Sequence, residues 1–214
     1  MATPTNSTIA VLGGAGKAGR PLMEEALRQG YTVRALLRHP DQLDFAHERL
    51  TIIHSDARDS MSISQLLAGS AALISTLGNP KGENIPILST VTSLILAGMK
   101  TANISRYVTL TSLYDTGNAQ TDEKTRLSAA FMKQHFPDFM ADRAREYALL
   151  RASNLNWTYV RVPYLVESET AGTVKTHLGY MPGGQLAVGD LARFLLEQLD
   201  NQTFSKQAPF IANA

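Results

Sequence analysis

The chain has 214 residues, 44% of them hydrophobic and 18% charged, with a net charge of +1 and no cysteine. This length favours one sizeable core over two. A structural disulfide, a thiolate nucleophile and a cysteine-ligated metal are excluded, and a charge so close to zero gives no global field for nucleic acid or a membrane surface. The opening MATPTNS is polar, with no basic region leading into an apolar run, so no signal peptide is expected. No apolar stretch is long enough to cross a bilayer, and the longest, near residues 90–99, reads as a buried helix. A cytoplasmic location fits these features.

Residues 7–12 are β-branched and apolar and predict a short strand. Gly13, Gly14, Ala15, Gly16, Lys17, Ala18 and Gly19 follow at once. Residues 20–29 then place Leu22, Met23, Ala26 and Leu27 at helical spacing, and Gly30 is a helix stop. Residues 31–37 alternate and predict a second strand, completing one right-handed βαβ unit. The pattern continues with a strand at 50–54 and a helix at 60–67, Ser60 being its candidate N-cap. A buried strand at 71–76 follows, then a helix at 85–99 that tolerates Pro86 in its first turn, and a strand at 107–111. A helix at 122–135 is interrupted by Pro137 and resumes over 139–152, before a strand at 157–162. Beyond that the rhythm loosens into a short strand at 173–177, a helix at 190–199 and a short strand at 208–211. Strands alternating with helices predict an α/β fold with a parallel sheet covered on both faces. No repeat, low-complexity tract or composition shift marks a linker.

The glycine run is the most informative segment. A dinucleotide diphosphate needs a tight strand-to-helix turn, close backbone approach and a helix N-terminus aimed at the phosphates. Gly13-x-x-Gly16-x-x-Gly19 directly follows an apolar strand and opens an amphipathic helix, the context that such a match requires. A glycine-rich connecting turn is the plain alternative. A phosphate-loop NTPase fits worse, because the GK[ST] ending is missing.

This spacing resembles that of the short-chain dehydrogenase/reductase superfamily. The chain resembles its atypical short members, biliverdin-IX-beta reductase/flavin reductase and the nitrogen-regulator-like NAD(P)H-binding proteins. The resemblance is carried by IAVLGGAGKAGR, VRALLRHP, HSDARD, LISTLGN, YVTLTSLY, LRASNLNWTYVRVPYL and LAVGDLARFLLEQL. It implies a Rossmann-type doubly wound sheet in a single domain, 1–214, with a small C-terminal substrate-side region at about 163–214. The acid that an NAD-preferring site places near the end of its second strand is missing, since Leu37-Arg38-His39 stand there and no acid occurs before Asp41. Arg38 offers a permanently charged planar fork to a 2′-phosphate; its other reading is a solvated surface arginine. Arg34 is the poorer candidate, because it sits within the strand. NADP, as NADPH, is therefore the preferred cofactor and NAD the alternative, and Lys17 adds charge in the glycine loop. By resemblance Asp56 and Ala57 flank the adenine, although Asp56 also reads as a turn residue. Thr76, Leu77, Gly78 and Asn79 leave the fourth strand at its carboxyl end, where ligands sit in such sheets. Pro163, Tyr164 and Leu165 match the segment lining the nicotinamide.

Standard members of the superfamily carry a serine after the fifth strand and a Tyr-x-x-x-Lys on the next helix. Ser112, after Thr111, stands at the serine position, though a strand-end capping serine reads equally well. The tyrosine-lysine pair does not match. If Glu146 is the acid that follows the lysine by one turn in relatives, the lysine position is Asp142 and the tyrosine position Asp138. Tyr147 is the remaining candidate tyrosine but reads better as a packing residue. Arg143, and Arg145 on the same helix, are candidates to reach the cofactor or an acidic substrate, and Tyr114 is a loose candidate nearby. His39, His47, His54, His135 and His177 have no metal-ligand spacing, so no metal is expected.

Two functions fit. One is an oxidoreductase that passes hydride from NAD(P)H to a planar conjugated acceptor of flavin, quinone or tetrapyrrole type, chemistry that depends on stacking and orientation more than on a proton relay. The other is a non-catalytic NAD(P)(H)-binding sensor. A sugar epimerase ranks last. The expected partner is a small-molecule acceptor, with no nucleic acid or membrane, and the chain is expected to be a monomer or homodimer.

Overall fold

A computed structural model describes residues 7–79 and 85–214. Residues 1–6, most of the opening from which no signal peptide is expected, lie outside the described residues. The elements run β1 (Thr8–Leu12), α1 (Gly19–Arg28), β2 (Thr32–Leu37), β3 (Leu50–His54), α2 (Ser60–Leu67), β4 (Ala72–Ser75), α3 (Leu88–Thr101), β5 (Arg106–Thr111) and α4 (Glu123–His135). They continue with α5 (Pro137–Ala152), β6 (Asn156–Arg161), β7 (Tyr164–Val166), β8 (Val174–His177), β9 (Gln185–Ala187), α6 (Val188–Glu197) and β10 (Phe210–Asn213).

One eight-stranded sheet has the order β3-β2-β1-β4-β5-β6-β10-β8. The neighbours from β3 to β10 pair in parallel. The chain winds outward from β1 in both directions, the doubly wound topology expected from the alternation. Successive strand residues point to opposite faces. Ile9 and Val11 thus join α1 and α6 in one apolar cluster. Ala10 and Leu12 join residues of α2, α3 and α5 in the other. Both faces are covered, as a parallel sheet requires.

The structure differs from the sequence reading at several points. β8 runs antiparallel to β10, with Phe210 opposite His177 and Asn213 opposite Val174, so the sheet is not parallel throughout. An antiparallel edge strand is a common finish to such a sheet. β7 and β9 form a separate two-stranded parallel pair that three-residue segments do not announce by alternation. The N-cap of α2 is Asp59 rather than Ser60, because the Asp59 carboxylate accepts from the amides of Met61 and Ser62. α3 begins at Leu88, leaving Pro86 ahead of the helix rather than in its first turn.

α3 has no side-chain cap of its own. Asp142, from α5, supplies one. Its buried carboxylate accepts from the amides of Leu88 at 2.9 Å and Ser89 at 3.3 Å, and from Ser89 Oγ at 2.5 Å. An anion there meets the positive end of the helix dipole. Pro137 opens α5 at its first turn, where its missing N–H costs nothing.

Candidate functional site

The strand order reverses between β1 and β4, and the connections that leave their carboxyl ends run to helices on opposite faces of the sheet. Ligands in open α/β sheets bind in this crevice. A cleft of about 420 Å³ occupies it. The glycine loop forms one wall. Gly13 has φ +77°, a conformation open to glycine at little cost, and a Cβ on it would lie 2.7 Å from the carbonyl carbon of Thr76. A Cβ on Gly19 would collide with the Gly13 carbonyl oxygen, so Gly19 lets the start of α1 press against the loop. Thr76 Oγ1 donates to the carbonyls of Leu12 at 3.1 Å and Gly13 at 3.2 Å, tying the two strand ends together.

No side chain caps α1, and no acid occupies its first turn. Among the described residues the Lys17 and Ala18 amides make no hydrogen bond. These amides and the helix dipole suit a bound diphosphate. Lys17 lies 3.8 Å from Glu167 Oε1, with its ammonium 5.1 Å from the centre of the Tyr164 ring. That contact brings β7 beside the glycine loop. Gly78 on the opposite wall has open space where a Cβ would project.

Of the residues expected to hold a cofactor, Gly13, Ala15, Gly16, Lys17, Ala18, Arg38, Asp56, Ala57, Thr76, Leu77, Gly78, Asn79 and Leu165 line this cleft. Gly14 and Gly19 are buried behind the loop, and Tyr164 projects into solvent. Thr111 ends β5, and Ser112 and Pro163 lie beyond the ends of β5 and β6; none of the three lines the cleft. Asn79 Oδ1 accepts from the Ile87 amide at 3.1 Å, which pins the approach to α3. The cleft also takes in residues that sequence reasoning passed over, among them Leu36, His39, Gln42, Ser55, Ile87 and Leu110. The Asx-type pattern Asp56-x-Arg58 was a readable signal for a residue that contacts the cleft lining without joining it. Arg58 donates from its backbone amide and its guanidinium to the Asp56 carboxylate. This pairing holds the Asp56 carboxyl below the usual range, with a smaller contribution from the Arg38 charge. Arg34 faces elsewhere, donating to the carbonyls of Gln65 and Leu66 at the end of α2.

At the far end of β5, Arg143 donates to Thr111 Oγ1, one residue beyond the cleft-lining Leu110. One helical turn on, Glu146 is buried. It accepts from Tyr159 Oη at 2.7 Å and from Thr92 Oγ1 at 3.3 Å, and burial pushes its carboxyl up to about 7. Tyr147 packs into an aromatic cluster, stacked on Tyr159 and edge-on to Tyr114 and Trp157. Asp138 is exposed, and Asp142 serves α3.

Similar folds are known in solved structures. An anaerobillin reductase, ChuY, from Escherichia coli O157:H7 superposes with a TM-score of 0.79 at 18% identity, covering 97% of each chain. A wide-type short-chain dehydrogenase/reductase from Veillonella parvula, solved with NADP, gives a TM-score of 0.76 at 16% identity over 98% of this chain and 95% of that one. The oxidoreductase ylbE from Lactococcus lactis gives 0.75 at 16% identity over 97% and 91%. These likenesses establish the shared fold and agree with the resemblance read from the sequence. The family described as NAD(P)H-binding matches residues 13–202, from the first glycine of the loop to beyond α6, and the chain belongs to this NAD(P)H-binding family.

Proposed function

We propose that the protein is an NADPH-dependent reductase that passes hydride to a planar conjugated acceptor of flavin, quinone or tetrapyrrole type. The uncapped start of α1 and the glycine loop would hold the diphosphate. Arg38 would take the 2′-phosphate, Asp56 and Ala57 the adenine edge, and residues 76–79 the ribose. Bound there, the nicotinamide supplies a hydride. Pro163, Tyr164 and Leu165 would border its ring, with Thr111, Ser112 and Arg143 at the reacting end and residues of about 163–214 on the acceptor side. Tyr147 has no part in this scheme, because its ring is engaged in packing.

One observation carries the choice of acceptor. The position that the resemblance gives to the relay lysine is Asp142, and its carboxylate is engaged in capping α3. Reduction of an isolated ketone needs a positioned proton donor. An electron-poor conjugated acceptor can take its proton from solvent, so orientation over the nicotinamide suffices. The anaerobillin reductase among the similar folds makes a tetrapyrrole the first acceptor to try.

The test follows nicotinamide absorbance with biliverdin, FMN and a soluble quinone in turn. Acceptor-stimulated NADPH oxidation is expected with at least one. Tight NADPH binding without stimulation by any of them would overturn the reductase reading and favour a non-catalytic sensor. Arg38→Ala is expected to weaken NADPH binding by about one to two decades, the worth of a charge-assisted contact of roughly 1.5–3 kcal/mol, and NADH binding far less.

A further inference from the structure

At the β2–β3 end of the cleft, where the preceding proposal puts the 2′-phosphate, there is a carboxylate as well as an arginine. Asp56 lines this end together with Arg38, His39 and Gln42. An unscreened carboxylate there would repel a phosphate that carries up to two negative charges. It would also offer acceptor oxygens to ribose hydroxyls, the arrangement that favours NAD. Asp56 nevertheless offers neither oxygen freely. Its Oδ1 accepts from the Arg58 amide at 2.8 Å and from Arg58 Nε at 2.9 Å, while Oδ2 accepts from Nη2 at 2.7 Å. This is the two-pronged guanidinium–carboxylate geometry, which also fixes orientation. The pair is partly exposed, with 42% of the Arg58 side chain and 32% of the Asp56 side chain accessible. Pairs of that exposure contribute little to stability. The Arg38 charge is also felt at Asp56, though less than the Arg58 contact.

We infer that Arg58 is a cofactor-specificity residue, which masks Asp56 so that no bare carboxylate opposes a 2′-phosphate beside Arg38. The inference rests on the NADPH reading of the cleft. Without Arg58, Asp56 can turn to Arg38 or to ribose hydroxyls. Arg58 therefore acts through Asp56, and its removal changes the ratio of the two cofactors rather than binding as a whole.

The test titrates the full chain with NADPH and with NADH, for wild type, Arg38→Ala, Arg58→Gln, Asp56→Asn and the Asp56→Asn/Arg58→Gln double variant. Arg58→Gln is expected to weaken NADPH binding about tenfold while leaving NADH within about twofold, and added salt should shrink the difference. The double variant should recover NADPH affinity to within about threefold of Asp56→Asn alone, because the carboxylate that needed masking is gone. That recovery also shows that the loop has folded, so a collapse of Arg58→Gln alone cannot mimic the result. Equal loss of both cofactors in Arg58→Gln with no recovery in the double variant would overturn the inference, as would unchanged NADPH affinity. If Arg38→Ala discriminates between the cofactors and Arg58→Gln does not, the masking fails while the NADPH reading stands. If wild type and Arg38→Ala both bind the two cofactors alike, the NADPH reading falls and the masking with it.

Discussion

Replacing Asp142 by alanine separates a structural carboxylate from a catalytic one. The residue is 1% exposed, and its carboxylate accepts from two amides and one hydroxyl at the start of α3. The helix has no cap of its own, so truncation leaves those donors without their acceptor. The Leu88 amide belongs to a residue only 6% exposed, and stranding such a donor costs about 1–3 kcal/mol. Loss of an anion from the helix start adds about 0.3–1 kcal/mol. The half-buried Ser89 can turn to water and adds less. A total near 2–4 kcal/mol follows, which for a protein of this size lowers the Tm by roughly 5–15 °C. Asp142→Asn keeps an acceptor oxygen and should lose about half as much. Thermal and urea unfolding followed by circular dichroism measure both, with exposed Asp138→Ala as the reference. A loss in Asp142→Ala no greater than that of Asp138→Ala would refute the capping argument. So would an intact Tm combined with abolished hydride transfer, which would return Asp142 to the chemistry.

Other outcomes follow from the same geometry. The folded Glu146 carboxyl keeps its proton up to about pH 7, whereas the unfolded chain releases it near 4.5. The folded state is thus favoured while the group is protonated in both states, and that advantage is lost as pH rises toward and through 7, by at most about 3 kcal/mol. Urea titrations at pH 5 and 8 should show wild type losing stability relative to Glu146→Gln, and parallel pH profiles would contradict the assignment. Gly13→Ala should destabilise the fold by roughly 2–3 kcal/mol, since it adds a positive-φ penalty to a clash with Thr76. Gly78→Ala, with open space around it, should leave the Tm within about 1 °C while weakening NADPH binding. Equal effects of these two glycine substitutions on Tm would show that the walls of the cleft have been misjudged. Arg161→Met should lower the Tm and loosen the segments after β5 and β8, because Arg161 donates to the carbonyls of Tyr114, Leu178 and Ala208 from a fully buried position. Faster amide exchange confined to those segments is the expected signature.

The sequence was most legible where local rules and the fold coincide. The strand, glycine loop and helix at the start combine a change of period with a conformational demand, and they fall within a residue or two of expectation. Pro137 divides α4 from α5 as its chemistry requires. Legibility failed where partners come from far away. The cap of α3 lies 54 residues from the amides that it serves, so no local pattern could reveal it. Ile87 and Leu110 are apolar residues beside or within regular elements and read as core, yet they line the cleft. β7 and β9 are too short to show a period, and their pairing exists only in three dimensions. The glycines needed a finer reading as well. Gly13 and Gly16 reach the cleft, whereas Gly19 serves the packing of α1 against its own loop.

The order of the strands also constrains how the protein is made. β8 has a single neighbour in the main sheet, β10, although β9 and α6 separate them along the chain. As the polypeptide leaves the ribosome, the sheet can assemble outward from β1 as far as β6, but the β8 segment then has nothing to dock on. It must wait as an unpaired ribbon until residues 210–213 emerge and insert beside β6. A stalled or clipped product lacking those few residues would therefore leave β8 without its ladder and β6 with an open edge, a ready target for proteolysis or for sticking to another nascent copy.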